Sequence, residues 1–94
     1  MKKQITIYTT TTCAYCEMVK KWLGAKGLTY NVINMDNEDP SVRQRVIEMS
    51  GAMTVPVTVV EEVTEEGREP SFRDITVGWN PAKLGSAVRD MVAA

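Results

Sequence analysis

Apolar residues change their period several times along this chain, and each change marks an element. Gln4–Tyr8 (QITIY) is β-branched and aromatic and predicts a first strand. From Tyr15 the period lengthens. Tyr15, Met18, Val19, Trp22 and Leu23 fall at i, i+3, i+4, i+7 and i+8, one face of a helix, and Gly27 stands where a C-terminal cap would end it. Thr29–Met35 alternates through Tyr30 and Val32 and predicts a second strand. Asp39 is a suitable N-cap for a helix whose first residue is Pro40; it carries Val42, Val46, Ile47 and Met49 and stops at Gly51. VPVTVV, Val55–Val60, predicts a third strand entered through proline. Polar Glu61–Ser71 predicts a long hairpin loop, and Phe72–Val77 a fourth strand with Ile75 and Val77 on one face. Asn80 and Pro81 then open a helix bearing Leu84, Ala87, Val88, Met91 and Val92. Gly85 inside it costs up to ~1 kcal/mol against alanine, with close packing as the expected reason.

The order is therefore βαβαββα. Strands joined by a helix are expected to be parallel with a right-handed crossover, and the last two strands form an antiparallel hairpin. The expected architecture is α/β, a four-stranded mixed sheet flanked by three helices.

Composition fits that picture and narrows the function. The 94 residues are 44% hydrophobic and 24% charged with net charge −1, as in one ordinary globular domain spanning 1–94. No basic patch offers nucleic acid a surface, and no apolar run is long enough to span a bilayer. The two lysines near the N-terminus are not followed by the apolar segment of a secretory signal, so a cytoplasmic protein is expected, in a compartment that keeps thiols reduced.

That expectation bears on the only two cysteines, Cys13 and Cys16, in TTTTCAYC. A structural staple is disfavoured by the reducing compartment and by the very short loop it would close. A zinc site within one chain needs about four ligands, and the sequence offers no histidine and no further cysteine. Three readings stay open: two inert buried thiols, an iron–sulfur cluster held by thiolates from two chains, and catalytic thiol–disulfide exchange. Position favours the last. Cys13 falls at a strand-to-helix junction, where unpaired N–H groups and the helix dipole stabilise an anion. Cys-x-x-Cys thiols in such places have pKa values from roughly 3.5 to 7.5. Cys13 is thus the expected nucleophile, and Cys16, one turn on, the resolving thiol.

ITIYTTTTCAYC, GAMTVPVTVV and ITVGWNPAKL together resemble the glutaredoxins, and more closely the small glutaredoxin-like redoxins of ribonucleotide reductase. The resemblance covers nearly the whole chain. It implies a thioredoxin fold, a redox-active disulfide and a cis Val55–Pro56 bond, with the Val55 backbone pairing with substrate or glutathione. No cofactor is built in; glutathione or thioredoxin reductase supplies electrons, and protein disulfides, ribonucleotide reductase among them, are the implied partners of a monomer. Two departures bear on the donor. Thr10 stands where many glutaredoxins have a lysine for the glutathione carboxylate. Gly78–Trp79–Asn80 stands where many have Gly-Gly and a charged residue for the γ-glutamyl end. The Gly-aromatic pair matches the reductase-associated redoxins, whereas Tyr15 between the cysteines is the glutaredoxin-like choice. Both departures point to weak use of glutathione.

Other residues carry lesser expectations. Trp22, on the helical stripe, is a core residue. Trp79 either contacts a partner or packs, and Tyr15 either stacks on substrate or shields Cys16. Lys20 and Lys21 form a solvated face. The polar loop is a tolerated surface insertion, with partner docking as the functional alternative.

Overall fold

A computed structural model describes residues 2–65 and 67–91. Strand β1 (Lys3–Thr9) leads into helix α1 (Ala14–Ala25), then β2 (Asn31–Asn34), a 3-10 turn (Met35–Asn37), α2 (Pro40–Ser50), β3 (Val57–Glu62), β4 (Arg73–Val77) and α3 (Pro81–Val88). The sheet order is β2-β1-β3-β4, with β1 and β2 parallel and the other neighbours antiparallel. This is the expected βαβαββα arrangement, with one unexpected 3-10 turn.

Alternation along the strands sorts the core into two halves. Ile5, Ile7 and Val60 pack with Val19 and Leu23 of α1 and with Leu84, Ala87 and Val88 of α3. Val57 and Val59 point to the opposite face and pack with Met35 and with Val46 of α2. Helices α1 and α3 therefore cover one face and α2 the other.

The caps form where the sequence predicts them. The Asp39 side chain accepts the Ser41 N–H, and Asn80 accepts that of Lys83, each just before an N-terminal proline. Beyond Lys26, the cap residue of α1, Gly27 takes φ 71°, and the Leu28 N–H reaches back to the Leu23 carbonyl. That left-handed step is one glycine makes without steric cost.

Several expectations need correction. The second strand is shorter than Thr29–Met35, because Met35 already belongs to the 3-10 turn and buries against α2. β3 starts at Val57, after the proline, and runs on through Glu61 and Glu62, which pair with Gln4 and Lys3 of β1. The loop is thus shorter than Glu61–Ser71 suggested. On β4 the buried residue is Thr76, while Ile75 is half-buried towards α2 and Val77 is exposed. Gly85 is not tightly packed: an added Cβ would meet only the Trp22 ring, at 3.9 Å. α3 ends at Val88, so Met91 follows the helix while still packing against the core, and Val92 lies outside the described residues. The hydroxyl of fully buried Thr58, opposite Thr76, has no hydrogen-bond partner among the described residues.

Candidate active site

The two cysteines meet at the junction of β1 and α1. Cys13 is the N-cap of α1, with extended backbone, and Cys16 lies in the first turn; the two are joined as a disulfide with Cα atoms 5.3 Å apart. The Cys16 N–H donates to Cys13 Sγ at 3.1 Å. Sulfur thus occupies the position of an N-capping oxygen, facing the free N–H groups and the positive end of the helix dipole, where negative charge is favoured. Cys13 is partly exposed, whereas Cys16 is 1% exposed. The pair is therefore asymmetric: one sulfur is open to a reaction partner, and the other is reached through it.

The cis-proline corner shares this end of the sheet. Val55–Pro56 is cis, as the resemblance implied. Val57, the next residue, pairs with Tyr8 five residues before Cys13, so corner and cysteine loop leave the sheet at the same end. Pro56 is buried and its carbonyl accepts the Gly78 N–H at 2.7 Å. Gly78 has φ 75°, which bends the chain from β4 into α3. A notch of about 40 Å³ beside the corner is lined by Met35, Arg43, Ile47, Met53 and Val55. A larger cleft, about 580 Å³, lies on the α2 side of the sheet between Arg45, Met49 and Arg73; none of the candidate catalytic or substrate-binding residues lines it.

The remaining candidates take distinct places. Tyr15 is 57% exposed beside the disulfide. Trp79 is half-buried on the α1–α3 core and meets Trp22 edge to face, with ring centroids 6.5 Å apart. Trp22 is the packing residue its helical position predicted. The Asn80 side-chain oxygen is occupied by the cap of α3, and Thr10 Oγ1 makes only a long contact, 3.5 Å, with the Thr12 carbonyl.

Three residues of this region escaped the sequence reading. Asp36 Oδ2 accepts the Thr11 N–H at 2.7 Å, and Arg43 Nη2 donates to Asp36 Oδ1 at 2.9 Å. The Asn34 amide donates to Thr11 Oγ1 at 3.4 Å, while its oxygen accepts the Asp36 N–H at 3.0 Å. The Thr11 N–H, then its hydroxyl and the Arg43 charge, hold the Asp36 carboxyl below the usual aspartate range. Nothing local marks the Asp36 carboxylate in NMDNEDP, since its partners lie 25 residues before and 7 after it.

A helix-capping Cys-x-x-Cys on this sheet defines a thioredoxin-fold thiol–disulfide oxidoreductase. The glutaredoxin family model matches residues 5–64, and the chain belongs to that family. It is 39% identical over 67 residues to the glutaredoxin-like protein NrdH of Lactococcus lactis, a match covering 71% of this chain and 90% of that one. It is 33% identical to glutaredoxin 3 of Escherichia coli over 57 residues, 61% of this chain and 68% of the relative. Among solved structures, a glutaredoxin from Archaeoglobus fulgidus superposes with a TM-score of 0.70 at 24% identity, covering 92% of this chain and 86% of that one.

Proposed function

We propose that the protein is a cytoplasmic reductase of protein disulfides in which Cys13 attacks and Cys16 resolves. The observation that carries this reading is the asymmetry of the pair, with Cys13 at the helix cap and partly open and Cys16 buried one turn behind. The Cys13 thiolate attacks one sulfur of the substrate disulfide, forms a new S–S bond and expels the other sulfur as a thiolate. Cys16, deprotonated, then attacks Cys13 Sγ, closes the Cys13–Cys16 disulfide and releases the second substrate sulfur. Two electrons reach the substrate, whose two thiolates take up protons. Val55 and Pro56 offer a backbone edge for an extended substrate segment, and Tyr15 a ring beside the reacting sulfur.

The reductant that best fits the residues is thioredoxin reductase, with glutathione a poor second. Thr10 carries no charge for a carboxylate. The Asn80 oxygen is taken by the helix cap, and Trp79 stands packed on Trp22 in the place of a small residue. Family likeness makes ribonucleotide reductase the foremost target. A cluster held by four thiolates from two chains is disfavoured, because Cys16 is buried.

Reduction of insulin disulfides tests the roles. Cys13→Ser is expected to abolish turnover, and Cys16→Ser to accumulate a mixed disulfide through Cys13 without release. Full activity of Cys13→Ser would overturn the assignment. Recycling by thioredoxin reductase is expected to exceed recycling by glutathione with its reductase; the reverse order would refute the donor.

A further inference from the structure

We propose that Asp36 is a positioning residue that fixes the nucleophile loop, with Arg43 holding its carboxylate in place. The inference rests on the reading of Cys13 as the attacking thiol.

Between the end of β1 at Thr9 and the start of α1 at Ala14, the chain crosses four residues without regular structure. A loop this close to the reacting sulfur needs an anchor, because misplacing reacting atoms by 1 Å can cost about 100-fold in rate. The anchor comes from outside the loop. The Thr11 peptide, two residues before Cys13, gives its N–H to Asp36 at 2.7 Å, and its hydroxyl receives the Asn34 amide. A carboxylate makes that N–H bond stronger than a neutral acceptor would. Asp36 is itself held on two sides, by Arg43 of α2 and by its own N–H on the Asn34 oxygen. The end of β2 and the 3-10 turn thus both bond Thr11 of the active-site loop, and α2 backs the turn through Arg43. Thr9 and Asn34 are register partners across the parallel β1–β2 pair, so the anchor springs from the point where the loop leaves the sheet. Val55 packs in one cluster with Val42, Val46 and Met49, so α2 borders the proline corner as well as reaching the cysteine loop through Arg43 and Asp36.

The test is steady-state insulin reduction with dithiothreitol as reductant, with folding checked by circular dichroism. Asp36→Ala is expected to lower kcat about tenfold and to leave KM within about twofold, the pattern of lost positioning rather than lost binding. Asp36→Asn keeps an acceptor for the Thr11 N–H and is expected to restore kcat to within about threefold of wild type. Asp39→Ala removes a cap from α2 without touching the loop; it should lower the melting temperature and leave kcat unchanged. Should Asp36→Ala not fold, Arg43→Ala carries the same test with an expected loss of about threefold. Wild-type kcat in folded Asp36→Ala, an Asn variant as impaired as the Ala variant, or an equal loss in Asp39→Ala would each overturn the proposal. Cys13→Ser in the same assay separates the two failures: if it matches wild type, the reading of the nucleophile is wrong, and the positioning role falls with it.

Discussion

At the scale of single residues, two positions run against their surroundings. Thr58 places a hydroxyl in a fully buried site with no partner among the described residues, and an unmet buried polar group costs about 1–3 kcal/mol. Thr58→Val keeps the shape and removes the oxygen, so the denaturant midpoint is expected to rise by the equivalent of about 1 kcal/mol. Gly85 is the second. It lies inside α3 with room for a methyl group, so Gly85→Ala is expected to stabilise by roughly 0.5–1 kcal/mol, read from the same midpoint. A loss of stability would mean that the Trp22 ring cannot accept the added contact.

At the scale of elements, the loop between β3 and β4 is the least expected part. Its polar sequence reads as a loose insertion, yet Glu62 accepts both the N–H and the hydroxyl of Ser71, Thr64 donates to the Arg68 carbonyl, and the Val63 N–H bonds to Lys2. Glu62→Ala is expected to speed protease cleavage between residues 63 and 72 several-fold while leaving the melting temperature nearly unchanged; unaltered cleavage would show that the loop is held by other means. The same contrast explains how much of the fold was legible. Caps at Asp39 and Asn80, each followed by proline, are local signals and mark the helix starts. The stripes of α1 and α3 predicted the helices but overran them: Tyr15 and Met18 are exposed, and Met91 lies beyond the end of α3 at Val88. Thr76 inside and Val77 outside follow instead from pairing with β3, and the Asp36 bond to Thr11 joins residues 25 apart. Such features are set by tertiary partners that no short window contains. The cysteine pair was legible because its chemistry depends on a helix start, itself a local feature.

At the scale of the whole molecule, acid response follows from four carboxylates. Asp36, Asp39, Glu62 and Asp90 are held below their ordinary values, chiefly by the N–H of Thr11, of Ser41 and of Ser71 and by the Lys3 ammonium, respectively. A depressed carboxyl binds fewer protons in the folded state than in the unfolded one. Its stabilisation is therefore complete above the ordinary values, 3.8 for aspartate and 4.5 for glutamate, and is lost as pH falls through the folded values. With no histidine in the chain, the urea midpoint of the oxidised protein is expected to stay level between about pH 6 and 8 and to decline below about pH 4.5. A midpoint that rises on acidification would contradict the sign. The central claim, that fold and helix cap together make Cys13 the attacking thiol, is tested most directly by alkylation. Reduced protein is treated with iodoacetamide at about pH 6, where a helix-capping thiolate persists and an ordinary thiol with pKa near 8.5 is almost wholly protonated. The account predicts rapid single modification at Cys13 with Cys16 spared, read by peptide mass spectrometry; slow modification of both, or Cys16 first, would contradict it.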